Sequence, residues 1–235
     1  MDSAPPDSPA AGPALPATVP LSALAARVLG CLIEKEFATP DIYPLTLNAL
    51  LNACNQKSNR EPVMAVTARE VETALDELRY QRLAAVFAGA DARVQKYKQK
   101  IDLVHPVDPV ARALLGELLL RGPQTTAALR GNAERLHPMP PPPEIDAILV
   151  ELTRRPAGPL LRKLPRQPGQ KEARWAQLLT GEPVAGTSGA DTAAEPLTVT
   201  LTLPPEVEQR LAALETEVGR LRTELARLRK SLGEN

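Results

Sequence analysis

Residues 67–101 read TAREVETALDELRYQRLAAVFAGADARVQKYKQKI and predict a helix followed by a β-hairpin. Thr67 and Glu70 have the spacing of a capping box, in which each side chain accepts a hydrogen bond from the backbone of the other. An apolar stripe then recurs at helical spacing. It consists of Val71, Ala74, Leu75 and Leu78. After this helix LAAVFA is a candidate strand, GADA supplies turn residues, and VQKYKQKI is the candidate returning strand.

Two more helices are predicted before this stretch. Ser22 is a candidate N-cap, and apolar residues follow it at helical spacing as far as Phe37. Pro44 suits the first turn of a second helix that ends near Cys54. Residues 21–105 therefore predict three helices and a hairpin, which is the winged-helix arrangement, a variant of the helix-turn-helix.

The same order of elements repeats in the following part of the chain. A hairpin with Trp175 on its returning strand again follows three helices. These helices are predicted at residues 109–121, 125–136 and 144–154. We therefore predict a mainly α fold with small β-hairpin wings (α+β). It consists of two tandem winged-helix (helix-turn-helix-like) domains, at residues 21–105 and 106–181, and a C-terminal coiled-coil helix.

The segments outside these domains have distinct compositions. Residues 1–20 are rich in proline and alanine and predict a disordered tail, and residues 182–203 predict a flexible linker. In residues 204–235, apolar residues alternate at spacings of four and three, which is the seam of a coiled coil. The seam residues are Val207, Leu211, Leu214, Val218, Leu221, Leu225, Leu228 and Leu232. We interpret the seam as a homodimer contact, because opposite charges flank it as in a parallel pair; an amphipathic helix packed on its own domain is the alternative.

Three blocks of sequence carry a resemblance to a known family. Residues 31–64, CLIEKEFATPDIYPLTLNALLNACNQKSNREPVM, closely resemble the hallmark stretch of the YceH-like family of uncharacterised bacterial proteins. Residues 117–138 and 164–179 are similar to the motifs of its second half, and the match covers about residues 21–181. The resemblance implies two tandem winged-helix domains. It implies neither a reaction nor a ligand.

The composition argues against several classes of protein. The 28 basic and 28 acidic residues balance, which excludes a histone-like polycation. Cys31 and Cys54 lie among leucines in predicted helices, so we expect both to be buried and inert. Without a disulfide framework the cytoplasm is the expected compartment. No apolar run is long enough for a transmembrane helix, so we expect no membrane association.

Catalytic motifs are missing from the sequence. It contains no GxxxxGK[ST], GxGxxG, HExxH or GxSxG pattern. His105 and His137 lie far apart, and we interpret them as loop histidines at domain edges rather than as metal ligands. We therefore expect a protein that is not an enzyme and that uses no metal and no cofactor.

Basic residues around the predicted wings favour DNA binding. Residues 21–105 carry a net charge of +1 and residues 106–181 of +4, whereas both termini are acidic. Lysines at alternate positions of the first returning strand share one face, where they can meet phosphates. The candidate contacts are Lys57, Arg60, Arg69, Thr73, Arg93, Lys96, Lys98, Arg162, Lys163, Arg166 and Lys171. The working function is therefore binding of double-stranded DNA, in the regulation of transcription.

The strongest alternative is an adaptor that binds another protein. Off its apolar stripe, the third helix of the first domain carries four carboxylates against two arginines, which is an unfavourable face against phosphates. Acidic residues near a helix N-terminus also stabilise the helix dipole, which explains some of them without any partner. The polar loop at residues 55–64, NQKSNREPVM, either forms a binding edge or braces the second and third helices.

Overall fold

A computed structural model describes residues 19–87, 94–167 and 169–183, together with Glu217, Arg220 and Glu224. The chain divides into two compact units between residues 190 and 191. In the described part of the first unit the fold is mixed α+β, with helices packed around small antiparallel sheets. This agrees with the α+β class predicted from the sequence.

The first half begins with a long helix whose N-terminus is capped by Ser22. The Ser22 hydroxyl accepts a hydrogen bond from the backbone N–H of Ala25 at 3.1 Å. The predicted capping box is also present, because Thr67 and Glu70 accept hydrogen bonds from each other's backbone N–H groups. The elements of this half are α1 (Ala23–Ala38), a 3-10 turn (Pro40–Ile42), β1 (Leu45–Thr46), α2 (Leu47–Cys54), α3 (Ala68–Tyr80), β2 (Ala84–Phe87), β3 (Lys96–Gln99) and α4 (Ile101–Val104).

The start of the second helix differs from the prediction. Pro44 does not lie in its first turn, because Leu45 and Thr46 are extended and pair with β3. The helix begins instead after Thr46, whose side chain accepts a hydrogen bond from the backbone N–H of Ala49 at 3.2 Å. A hydroxyl at the N-cap satisfies a backbone donor that proline cannot, which sets the boundary here.

The first sheet is antiparallel and has the strand order β1-β3-β2. Tyr97 of β3 lies opposite Leu45 on one side and Val86 on the other, and its side chain is buried. Neighbouring residues of a strand point to opposite faces of a sheet. Lys96 and Lys98 therefore lie on the outer face.

The second half follows the predicted order of three helices and a hairpin. Its first helix has the predicted bounds and ends at Gly122, which takes a positive φ of 69°. The second helix is shorter than predicted and the third begins two residues earlier. The elements are α5 (Pro109–Arg121), α6 (Thr126–Ala133), α7 (Pro142–Thr153), β4 (Leu161–Lys163) and β5 (Trp175–Gln177).

The two halves share one hydrophobic core. Every residue of α1 from Ala25 to Glu34 is buried, and its most extensive packing is against α5. The two helices approach closely at Gly30 and Gly116, where a Cβ atom would come within 3.0 and 2.8 Å of side chains on the facing helix. Cys31 and Cys54 are buried in this core, as predicted. Neither α1 nor any other helix of the described ranges is long and apolar enough to cross a membrane.

Three residues of the second unit are described, and all three are helical. Arg220 donates hydrogen bonds to Glu217 at 2.8 Å and to Glu224 at 2.7 Å along the same helix face. The heptad residues predicted to form the dimer seam lie outside the described residues. The same holds for Arg93, for residues 1–18 of the predicted tail and for most of the predicted linker.

Candidate nucleic-acid interface

The outer face of the first sheet brings two of the candidate lysines together. Lys96 lies opposite Phe87 of β2, and Lys98 lies opposite Ala85. The Nζ atom of Lys98 is 5.3 Å from the centre of the Phe87 ring, within the range of a cation–π contact. Both residues are half-buried. This packing holds the lysine stems against the sheet and leaves their charged ends on its solvent side.

Three other candidates of the first half are exposed. Lys57 lies in the loop after α2, and Arg69 and Thr73 lie on α3. The Thr73 hydroxyl donates a hydrogen bond to the Arg69 carbonyl at 3.0 Å, so its proton is already engaged within the helix. Lys57 and Arg69 are therefore better placed than Thr73 to contact an anion.

The second hairpin does not gather its basic residues onto one face. Arg162 and Lys163 are neighbours on β4 and so point to opposite faces of the two-stranded sheet. Arg162 forms a 2.7 Å ion pair with Glu182, and the Lys163 Nζ atom is 5.2 Å from the centre of the Trp175 ring. Arg166 and Lys171 are exposed between the two strands. The basic residues thus surround this hairpin on both faces.

Arg60 is not available for nucleic acid, which corrects its place among the candidates. The residue is 4% exposed. Its guanidinium donates to both oxygens of Glu34, at 3.2 and 2.5 Å, and to the carbonyl of Ala53 at 3.0 Å. A further bond goes to Gln56 at 2.9 Å. A guanidinium satisfied in this way inside the protein cannot reach a phosphate, so we remove Arg60 from the candidate interface.

Arg60 belongs instead to a buried network of charges that joins the two halves. Arg135, which follows α6, forms ion pairs with Glu34 at 2.8 Å and with Glu117 of α5 at 2.5 Å. Burial alone would raise the pKa of Glu34, but the bonds and charges of Arg60 and Arg135 outweigh it and hold the pKa below its ordinary value. Burial raises the pKa of Glu117, and Arg135 only partly opposes this. The network therefore favours a charged Glu34.

Sequence reasoning missed this network, although the sequence contained a signal for it. Glu34 and Glu117 each interrupt an apolar run, and a charge in such a position is either at the edge of a buried face or paired inside it. Their partners lie in loops and in the other half of the chain. A local pattern cannot identify such distant partners.

The polar loop at residues 55–64 acts as a brace. Asn55 donates to the Val66 carbonyl and accepts from the Val66 N–H, both at 2.8 Å. The Glu61 N–H donates to the Leu120 carbonyl at the end of α5 at 2.9 Å. These bonds fix the loop to α3 and to the second half of the chain, which favours the bracing interpretation over a free binding edge.

Several carboxylates of α3 have partners inside the protein. Glu70 caps the helix, and Asp76 forms a 2.8 Å ion pair with Arg79. The two oxygens of Glu77 accept from the N–H and the hydroxyl of Ser22, each at 2.7 Å. The acidic character of α3 thus follows partly from its own stability and from its contact with α1.

The histidines do not form a metal site in the described ranges, which contain no group of three or more potential metal-binding side chains. His137 contacts the Phe37 ring edge-on with ring centres 5.7 Å apart. His105 follows α4 and is 7% exposed, so it is more deeply buried than a loop histidine at a domain edge would be.

Comparison with known proteins identifies the family. The family model described as "Protein of unknown function, DUF480" matches residues 21–170. The chain belongs to this DUF480 family. A UPF0502 protein of Geobacter sulfurreducens is 50% identical over 192 residues, which span 82% of this chain and 85% of that protein. A UPF0502 protein of Acidovorax sp. is 46% identical over 219 residues, spanning 92% and 96%. These matches agree with the YceH-like resemblance and extend along most of the chain.

Proposed function

We propose that this DUF480 protein binds double-stranded DNA through two tandem winged-helix domains and acts as a regulator of transcription rather than as an enzyme. The first half has the element order α1, β1, α2, α3, β2, β3 with a three-stranded sheet, and the second half has three helices and a hairpin. In such an arrangement a helix and the adjoining hairpin contact the duplex.

The proposal depends chiefly on the outer face of β3. Lys96 and Lys98 lie there side by side, with their stems supported by the sheet and by Phe87. Residues two apart on a strand have Cα atoms about 7 Å apart, so the two lysines offer neighbouring positive charges to the phosphates of a nucleic-acid backbone. This supports contact of the hairpin with the DNA backbone.

Further basic residues support the same role. Lys57 is exposed in the loop after α2, Arg69 is exposed in the first turn of α3, and Lys163, Arg166 and Lys171 are exposed around the second hairpin. Residues 21–181 contain 22 basic and 17 acidic residues. The net positive charge lies in the folded part of the chain, where contacts with phosphate would form.

Binding of a DNA duplex at two salt concentrations tests the proposal. The double variant Lys96→Glu and Lys98→Glu should lose most of its affinity at low salt. It should also lower the slope of log affinity against log salt by about 1.8, since each lost phosphate contact contributes about 0.9. Fluorescence anisotropy of a labelled duplex measures both quantities.

A matched control makes the same change of charge in the C-terminal segment. Arg220→Glu with Lys230→Glu alters two outward heptad positions and should leave the affinity unchanged. Equal affinities of the wild type, the β3 variant and the control would contradict the proposed contact.

A protein-binding adaptor is the second candidate function, and the exposed surface of α3 favours it. Tyr80, the last residue of α3, is 83% exposed, and Glu72 and Asp76 lie on exposed positions of the same helix. An exposed aromatic ring beside carboxylates suits a basic protein partner better than a phosphate backbone. A flat salt response to DNA together with a co-purifying protein would favour this function.

A further inference from the structure

The two cysteines of the sequence meet where α1 packs on α2. Cys31 of α1 and Cys54 at the end of α2 are both 0% exposed, and a hydrogen bond joins their side chains. Two thiols in contact have the starting geometry for a disulfide, in which the sulfur atoms approach to about 2.05 Å.

Two arginine side chains lie beside this thiol pair. Arg27 precedes Cys31 by one turn of α1, and its Nη1 atom donates to the carbonyl of Cys54 at 3.4 Å. The Nε atom of Arg60 donates to the carbonyl of Ala53, the residue before Cys54, at 3.0 Å. Both arginines are buried. Positive charges next to a cysteine favour its thiolate, which is the reactive form of the side chain.

Arg27 also has an N–H group that is not engaged. The residue is 1% exposed, and its Nε atom has no hydrogen-bond partner among the residues that the structure describes. Buried donors without partners are rare in native proteins, and a redox role is one of the explanations for them. A thiolate on Cys31 is an acceptor on the same face of α1, because residues four apart in a helix are neighbours.

The two thiols differ in acidity. Burial opposes the ionisation of Cys31, but the hydrogen bond from Cys54 and the charges of Arg60 and Arg27 outweigh it and hold the pKa of Cys31 below its ordinary value. The same hydrogen bond, followed by burial, raises the pKa of Cys54. Cys31 is therefore the sulfur that attacks an oxidant, and Cys54 is the thiol that resolves the product.

We propose that Cys31 and Cys54 form a redox-active pair, which hydrogen peroxide converts into a disulfide between α1 and α2. The inference concerns a modification site and goes beyond the proposed DNA binding. The leucines around each cysteine in the sequence predict two inert thiols, whereas the contact between the thiols and the nearby arginines arise from the packing of distant segments.

The reaction has two steps. The Cys31 thiolate attacks one oxygen of the peroxide; an S–O bond forms, the O–O bond breaks, and the departing hydroxide takes up the proton that Cys31 had released. The sulfur of Cys54 then attacks the sulfur of the Cys31 sulfenic acid; an S–S bond forms, the S–O bond breaks, and the hydroxide leaves with the Cys54 proton as water. Two thiols are oxidised, and one peroxide is reduced to two molecules of water.

The burial of the pair sets the rate of this reaction. Hydrogen peroxide is little larger than water, so a local opening of the contact between α1 and α2 admits it. We expect the oxidation to take minutes to hours, within the range of disulfide formation in proteins.

Treatment of the reduced full chain with millimolar hydrogen peroxide tests the proposal. The number of free thiols should fall from two to none, and the mass of the chain should decrease by about 2 Da. A peptide map under non-reducing conditions should link Cys31 to Cys54 within one chain. Dithiothreitol should restore both thiols, because a disulfide is reversible and a sulfinic acid is not.

Two matched variants assign the roles of the two sulfurs. Cys54→Ser removes the resolving thiol, so the same treatment should leave a sulfenic acid on Cys31, which adds about 16 Da and reacts with dimedone. Cys31→Ser makes the same substitution in the same core and should leave Cys54 reduced. Circular dichroism checks that both variants fold, and the thiol count of the wild type needs no variant.

Three results would overturn the proposal. The first is a wild-type chain that keeps both free thiols after overnight treatment. The second is oxidation that links two chains or stops at a sulfinic acid instead of joining Cys31 to Cys54. The third is equal dimedone labelling of the two variants, which would contradict the role of Cys31. All three readouts are independent of whether the protein binds DNA.

Discussion

At the scale of single residues, Glu34 is the buried carboxylate at the centre of the charge network. Its side chain is 3% exposed and accepts charged hydrogen bonds from an arginine of each half, Arg60 and Arg135. Removal of one member of a buried ionic group leaves the others without compensation, which costs more than the intact group contributes. The substitution Glu34→Gln is therefore informative about the whole network.

Glu34→Gln should lower the free energy of unfolding at pH 7 by about 3–5 kcal/mol. In the wild type, the folded state holds the pKa of Glu34 below its ordinary value, so the stabilisation is present above pH of about 4.3 and is lost as the pH falls through the folded pKa. Urea unfolding from pH 6 to pH 3 should accordingly show a smaller loss of stability in Glu34→Gln than in the wild type.

Glu117→Gln provides the matched control. The folded state raises the pKa of Glu117, so the linkage has the opposite sign: the stabilisation is present below the ordinary pKa and is lost as the pH rises through the raised one. This variant should be less destabilised at pH 7 than Glu34→Gln. An acid profile of Glu34→Gln identical to that of the wild type would contradict the role assigned to Glu34.

At the scale of elements, the contact between α1 and α5 depends on two glycines. The Cβ atom of an alanine at position 116 would lie 2.8 Å from Cγ2 of Ile33, a methyl group on a stiff β-branched side chain. Position 131 in α6 is exposed, and nothing lies within 4 Å of a Cβ atom there. Alanine substitutions at these two positions therefore distinguish the effect of close packing on stability from the effect of helix propensity.

Gly116→Ala should destabilise the protein by about 1–2 kcal/mol, because overpacking outweighs the gain in helix propensity. Gly131→Ala should stabilise it by about 0.5–1 kcal/mol, because only the gain in propensity remains. Thermal unfolding of the two single variants measures both effects. Stabilisation of Gly116→Ala by the same amount as Gly131→Ala would show that the helices do not approach closely at this point.

Elements with local signals were predictable, and elements set by distant contacts were not. The capping box of Thr67 and Glu70 lies within four residues, so the start of α3 was predicted correctly. The strand β1 has two residues and exists only through its pairing with β3, so no local pattern could indicate it. The alternating lysines of β3 were predicted because their pattern is local. The burial of Arg60 was not predicted, because it depends on a carboxylate of another helix.

At the scale of the whole molecule, we propose that the heptad seam of residues 204–235 pairs two chains. A chain that ends at residue 196 should then be monomeric, whereas the full chain should be dimeric. Sedimentation equilibrium of both proteins measures this difference. A dimeric truncated chain would assign the association to residues 19–183 instead, and a monomeric full chain would leave the seam without its proposed role.

The burial of α1 from Ala25 to Glu34 has a consequence for synthesis in the cell. α1 is made first, but its main packing partner, α5, follows more than seventy residues later. Chains emerge from the ribosome at about 5–20 residues per second, and an uncovered apolar helix is prone to aggregate during that delay. The nascent first half thus spends several seconds with its central helix open to chaperones, and its folding is completed only when α5 has left the exit tunnel.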